Sequence, residues 1–408
     1  MAEGTKLKSA LAASDYVHLH NHTHHSLLDG LTKVPDLVAR VKSLGMNAVA
    51  MTDHGTLSGA IEFYKACKDE GIKPIIGIET YVAARTIHDR DPARDKARFH
   101  LILLAMNNTG YQNLMKLSTI ANLEGVYYKP RVDHELLEKY NEGLIVLSAC
   151  AGGEIGENLR NDNYEEAKRI ALWYKSVFGD RYYLEIQDHN EWEVQLKINK
   201  GVLKIARETG IQAVVTSDAH YLSEDYQEAH EILLCVGTGA YLSDQDRMSL
   251  KDFHLHVTDP QEVIDRWAVE HPEIITNTRA IADRCDVTIE LGKILIPTFP
   301  TPKGESEKDY LHELVWQGLS RRYGDTTDEN AKTLSVGEAR KKLNGEIIER
   351  AEYELGVMDS MGYNGYFLIV QDFINWGKDQ GIIFGPGRGS AAGSIVAYAL
   401  RITELDPL

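Results

Sequence analysis

Between Val17 and Gly30 the chain reads VHLHNHTHHSLLDG, so that His18, His20, His22, His24, His25 and Asp29 crowd one short stretch. That density asks for a metal. His18, His20 and His22 alternate, and on an extended strand side chains at i and i+2 point the same way. Imidazoles about 6 to 7 Å apart along such a strand can reach one ion or a close pair. A solvated histidine run or a purification tag would lack the apolar Val17 and Leu19 between the histidines and the SLLDG that follows them. Asp29, just before Gly30, reads as a further hard ligand on the turn that leaves the strand.

With 408 residues, 43% of them hydrophobic, the chain can bury a large core and is expected to form two domains. A formal charge of -17 argues against a protein that coats nucleic acid through bulk positive charge, so any such contact must be local. Cys67, Cys150, Cys235 and Cys285 are far apart with no CxxC pair, which fits a reduced, cytoplasmic setting without a disulfide framework. No apolar run approaches the length of a membrane span, and residues 1 to 14 read as a short leader.

From the histidine strand onward one unit repeats. The spacing predicts helices over 34–44, 58–70 (capped by Ser58), 110–123, 165–178 and 194–209, and strands over 47–52, 74–82, 99–105, 144–150, 181–187 and 213–217. Seven β/α units fit a β/α barrel, where about 250 residues serve eight units. His20, His22, His54, Glu79, Cys150, Asp218 and His220 fall within or at the C-terminal ends of these strands, the end where parallel barrels build their sites. His100 lies instead near the start of its strand, which points to a distorted barrel.

HxHTxxSxxDG, TDHG, the glutamate of GIE, the histidine of FHLILLA, SAC and SDAH together resemble the PHP (polymerase and histidinol phosphatase) family. The version here is similar to the one at the N-terminus of bacterial replicative polymerases of the C family, over residues 16 to 408. The resemblance implies a distorted seven-stranded barrel over 1–285. It also implies a multinuclear site holding two or three zinc or manganese ions on His20, His22, Asp29, His54, Glu79, His100, Cys150, Asp218 and His220. All nine family positions are filled, with Asp29, His54, Glu79 and Asp218 central to catalysis. His18, His24 and His25 fall outside the pattern, and His189 is a candidate substrate contact.

Imidazoles, carboxylates and one thiolate suit zinc or manganese better than calcium or magnesium. Nine ligands are too many for one tetrahedral ion, and two or three ions make the arrangement that cleaves phosphoesters by attack of an activated water. Glu79 or Asp218 would bridge ions. Residues 85–98 (RTIHDRDPARDKAR) should overhang the same face, where arginines and Lys96 either hold a phosphate backbone or pair with Asp89, Asp91 and Asp95. Residues 127–131 (YYKPR) offer a weaker version of the same choice.

Pro297, Pro300 and Pro302, flanked by Gly292 and Gly304, mark a connection, and 286–408 is expected to hold the start of an α+β nucleotidyltransferase palm. Helices are predicted over 309–323 and 335–361. GPGRGSAAGS precedes an apolar helical run, and the resemblance implies that Gly387, Arg388, Gly389, Ser390 and Ser394 contact an incoming nucleotide. The DxD pair that would hold magnesium for polymerisation is absent after this loop, so no polymerisation is expected of residues 1–408. The expected function is a 3'-5' exonuclease for proofreading. Its partners would be a DNA primer-template and, in a full-length enzyme, dNTP, magnesium, a sliding clamp and a proofreading subunit. A metal-stabilised scaffold and a phosphatase of small phosphates are the alternatives.

Overall fold

The computed structural model of the chain describes residues 11–189, 192–293, 295–387 and 389–408. Packing divides them into two units, one ending at Ile289 and one running Glu290–Leu408.

The first unit is built on β1 (Ala48–Met51), β2 (Lys73–Ala83), β3 (Arg98–Ala105), β4 (Arg131–Val132), β5 (Leu144–Leu147), β6 (Tyr182–Gln187) and β7 (Ala213–Thr216). They pair in the order β1-β2-β3-β5-β6-β7, with the two-residue β4 beside β2 and off this path. The histidine segment closes the ring. Ala50 N–H donates to His18 O and Thr52 N–H to Asn21 O, each at 2.9 Å, on the β1 side. On the β7 side His22 N–H donates to Ala219 O at 2.7 Å, and Ala219 N–H to His20 O at 3.2 Å. Six strands on the path plus this irregular segment make a seven-membered α/β barrel.

β3 runs antiparallel to both β2 and β5, whereas the β1–β2, β5–β6 and β6–β7 pairs are parallel. This resolves the misfit of His100. The beginning of an antiparallel strand lies beside the ends of its parallel neighbours, so His100 reaches the mouth from the opposite direction.

Each strand sends alternate residues inward, and the inward series grades from apolar to polar toward the mouth. Ile75, Ile102, Ile145, Tyr183 and Val214 pack the lower interior with Val17, Leu19, Ala48 and Ala50. Two or four residues on, the same inward rows reach Glu79 in β2, Glu185 in β6, and Thr216 and Asp218 at the exit of β7; in β3, read backwards, the row runs Leu104, Ile102, His100. The helix Pro272–Arg284 plugs the bottom with Ile281 and Ala282, followed by Cys285.

Outward rows such as Ile76, Ile78, Leu103, Val146, Ile186 and Val215 bury against helices. The helix Val34–Ser43 shows why: Val34, Leu37, Val38 and Val41 form a stripe at 3.6-residue spacing and are all buried. The cap expected of Ser58 is not made, because Ser58 Oγ instead faces Thr56 Oγ1 and the helix Ala60–Glu70 begins from Gly59.

The second unit is helical, with no strand among its described residues. The stretch expected as one helix over 335–361 is two, Val336–Arg340 and Gly345–Met361. The first ends at its C-cap Lys341, and Asn344 starts the second by accepting from Ile347 N–H. The helix Glu307–Tyr323 supplies Leu311, Val315, Trp316 and Leu319 to a core shared with Ile347, Ala351, Leu355, Leu368, Ile395 and Val396.

Candidate metal centre at the barrel mouth

The nine residues singled out in the sequence come together at the mouth. Glu79 and Asp218 stand at the middle. Glu79 Oε1 lies 2.9 Å from His100 Nδ1 and 3.5 Å from His20 Nε2, and Glu79 Oε2 lies 2.6 Å from His54 Nδ1 and 3.5 Å from His22 Nε2. Asp218 Oδ1 lies 3.0 Å from His20 Nε2, 3.3 Å from His22 Nε2 and 3.7 Å from His220 Nδ1. Asp29 caps the open side, 2.8 Å from His54 Nε2 and 3.8 Å from His220 Nε2. Cys150 Sγ is 3.5 Å from His100 Nδ1. Ala149 and Asp218 hold positive φ, 59° and 47°, a conformation that side chains other than glycine keep only where surrounding structure imposes it.

The charges in this cluster are mutually dependent. Burial disfavours ionised Glu79 and Asp218, yet the imidazoles of His100, His54 and His20 hold both carboxyls well below the usual carboxylate range. Burial opposes charge on His54 too, but Glu79 and Asp29 prevail and push it up to about 10. His22, buried between His54 and His220, is pushed down to about 3. Burial with Glu79 and Asp218 pushes the Cys150 thiol well up.

This environment fits divalent metals. Both Glu79 oxygens, Asp218 Oδ1 and His54 Nδ1 are buried and, although imidazole nitrogens and carboxylate oxygens face one another at close range, none is in hydrogen-bond alignment, whereas such atoms are normally satisfied. His20 Nε2 and His22 Nε2 face each other at 3.2 Å, with carboxylate oxygens around them. His20, His22 and Glu79, then His22, His54 and His220, then His54, Glu79 and His100 form three overlapping donor triads, each compact enough to hold an ion.

Sequence reasoning missed the layer beneath. Glu185, 2% exposed, accepts from His20 Nδ1 at 2.7 Å and from Thr216 Oγ1 at 2.5 Å. Its signal was available, since a glutamate inside the apolar YYLEIQ strand is as anomalous as Glu79. Gln187 Nε2 donates to Asp218 Oδ2 at 3.1 Å. Asp53 holds the Thr23–Ser26 turn through Thr23 N–H, Thr23 Oγ1 and Ser26 Oγ. His230 Nε2, 3.8 Å from Asp29 Oδ1, comes from a helix with no metal-like spacing to mark it.

The cluster opens on a cavity of about 1030 Å³ whose lining includes Asp29, His54, Tyr81, His100 and Phe99, with Lys96, Arg98, Lys129 and Arg160 among its walls. The overhanging segment therefore divides its labour. Arg85 is spent on buried Asp95 in a bidentate pair at 2.8 and 2.7 Å, while Lys96 and Arg98 face the cavity. In YYKPR, Lys129 lines the cavity, whereas Arg131 is buried and donates to Gly125 O and Ile87 O. His18 turns aside to Thr258 O at 3.0 Å. His24 and His25 meet Glu62 at 4.0 and 3.0 Å. His189 is buried beside Phe253 and is not among the cavity-lining residues.

In the second unit Gly387 and Gly389 take φ of 123° and 64°, conformations that favour glycine. Arg388 lies outside the described residues. Ser390 belongs to the single turn Gly389–Gly393. Ser394 caps the five-residue helix Ile395–Ala399, and its hydroxyl donates to Glu354 at 2.7 Å. Glu354 also accepts from Ile395 N–H and Val396 N–H, at 3.3 and 3.2 Å. Of the residues expected to cradle a nucleotide phosphate, Ser394 is thus engaged by a carboxylate of the same unit.

Comparison with known proteins follows the same division. Residues 18–189 match the PHP domain, and residues 309–408 match the bacterial DNA polymerase III alpha NTPase domain. DNA polymerase III subunit alpha of Borreliella burgdorferi is 42% identical over 97% of this chain and 33% of its own length; that of Treponema pallidum is 43% identical over 98% and 33%. The chain belongs to the DNA polymerase III alpha subunit family. It spans about a third of the length of these relatives. Among solved structures, an amidohydrolase from Chromobacterium violaceum with bound sulfate covers 50% of this chain and 87% of its own, at 15% identity and a TM-score of 0.35, a likeness too slight to carry weight. No helix among the described residues is long and apolar enough to cross a membrane.

Proposed function

We propose that the barrel mouth of this family member is a multinuclear metal phosphodiesterase site that trims nucleic acid from a 3' end, a proofreading 3'-5' exonuclease. The observation that carries this reading is the union of the nine-residue donor cluster with a cationic wall of Lys96, Arg98 and Lys129, beside Arg160 paired with Glu157, in a chain whose net charge is -17. Two or three zinc or manganese ions would be held by His20, His22, Asp29, His54, Glu79, His100, Cys150, Asp218 and His220. When bound they supply Lewis acidity, acidifying water and neutralising phosphoryl charge.

The chain's own residues do the rest. Lys96, Arg98 and Lys129 draw backbone phosphates to the mouth and set their register. Phe99 and Tyr81 offer ring surface on which a frayed terminal base can stack. Glu185 and Gln187 orient His20 and Asp218, so the ligand geometry is prepared before substrate arrives. In the longer polymerase, a DNA primer-template, dNTP with magnesium at the palm, a sliding clamp and replisome subunits would be the partners, in the cytoplasm.

The test is release of label from a 3'-end-labelled primer by the purified chain with manganese or zinc, beside Asp29→Asn and a chelator control. Release by metal-loaded wild type alone is expected. Intact primer in the presence of bound metal refutes the nuclease reading and shifts the site to small phosphates or to a structural metal.

A further inference from the structure

The described residues hold a second group of imidazole and carboxylate donors that the barrel mouth does not use. Glu224, on the short turn Glu224–Tyr226, and the histidines His254 and His256 each bring one donor atom within 4.8 Å of the other two. His254 and His256 are two residues apart on a return segment that pairs with the chain leaving β7. His220 and Tyr221 N–H donate to Leu255 O at 2.7 and 3.1 Å, and Val257 N–H donates to Tyr221 O at 3.1 Å. The two imidazole centroids are 6.1 Å apart with planes at 81°. Buried Tyr221 stands beside His256 and beside His230, with centroids 6.5 and 5.2 Å away.

A separate observation points to a ligand. His256 is only 7% exposed, and its Nδ1 is buried with no hydrogen-bond partner. A buried ring nitrogen left in this state calls for an ion or an ordered water. Burial lowers the pKa of His256; Glu224 raises it, His254, Arg40 and Arg266 lower it further, and the group ends below its ordinary value. It is therefore neutral near pH 7, the form in which imidazole binds metal.

We propose that Glu224, His254 and His256 form a second, peripheral site for a divalent transition metal of the zinc class, distinct from the barrel-mouth cluster. Two imidazoles with one carboxylate favour zinc, nickel or copper over magnesium or calcium. Glu224 and His254 are exposed, so the fourth position faces solvent, open to water. An ion here ties the loop that carries Asp218 and His220 to the return segment, and raises thermal stability when it binds.

The experiment is zinc stoichiometry by equilibrium dialysis and elemental analysis on the whole chain, for wild type, H254A, E224Q and D218N, with thermal melts alongside. H254A removes an exposed side chain and should stay folded, bind one zinc fewer than wild type, and lose the zinc-dependent rise in melting temperature that this ion gives. E224Q should weaken the same ion at least tenfold, while D218N retains it. Equal zinc counts in wild type and H254A overturn the proposal. So does loss of this ion in D218N, which would assign it to the barrel mouth.

Discussion

Replacing Glu185 with glutamine removes one charge from beneath the barrel-mouth cluster while keeping side-chain volume. Glu185 Oε1 accepts from His20 Nδ1 at 2.7 Å, so His20 presents Nε2 to Asp218, His22 and Glu79, at 3.0, 3.2 and 3.5 Å. A carboxylate behind a ligating imidazole fixes its tautomer and raises its basicity, and losing such a partner costs about 10- to 100-fold in metal affinity or activity. That equals roughly 1.4 to 2.7 kcal/mol, in line with a charge-assisted hydrogen bond at about 1.5 to 3 kcal/mol. Thr216 Oγ1 and His20 Nδ1 share Oε1, so the amide oxygen of glutamine can still accept from both; the fold should survive and what is lost is the carboxylate charge behind His20. Manganese binding by calorimetry should weaken 10- to 100-fold, with the rate of primer hydrolysis falling in step at fixed metal and the far-ultraviolet spectrum unchanged. Affinity within twofold of wild type in a folded Glu185→Gln chain would refute the idea that Glu185 orients a metal ligand.

Three further outcomes follow from the structure. Gly110→Ala would place its Cβ 1.9 Å from the backbone Gly143 O, which cannot swing away, so denaturant unfolding should show a loss of about 1 to 3 kcal/mol or more. Glu231 is fully buried; burial raises its pKa, but Leu250 N–H at 2.7 Å, Arg247 at 2.6 Å and Ser249 at 2.8 Å win and hold it below its ordinary value. Its stabilisation is therefore full above the unfolded value of about 4.3 and is lost as pH falls through the lower folded value. Glu231→Gln should thus cost more stability at pH 7 than at pH 3, measured by melts at both. Changing Lys96 and Arg98 together to alanine should weaken single-stranded oligonucleotide binding and make the slope of log affinity against log salt shallower by about 1.4, with kcat for a short phosphodiester unchanged.

Much of the barrel was legible because charged residues inside apolar strands are costly unless they are used. Glu79 in PIIGIETYV and the histidines His20 and His22, following the apolar Val17 and Leu19, announced themselves this way. The direction of β3 was not legible, because an isolated apolar run carries no sign of whether its neighbours run with or against it; His100 alone gave the clue, as an apparent misfit. Glu185 carried the same signal as Glu79 but lacks a flanking histidine or turn motif to mark it. His230 lies on a helix whose role depends on tertiary packing. In the second unit, the break at Asn344 followed from a local cap within a continuous helical pattern, and the engagement of Ser394 by Glu354 links residues forty apart.

The central claim is that the nine converging residues at the barrel mouth form a multinuclear metal centre. Crystals of the chain soaked in manganese, with diffraction recorded at the manganese edge, test it most directly. The account predicts two or three anomalous peaks within bonding distance of His20, His22, Asp29, His54, Glu79, His100, Cys150, Asp218 and His220. An absence of peaks there at saturating manganese, with the imidazole and carboxylate contacts unchanged, would contradict it.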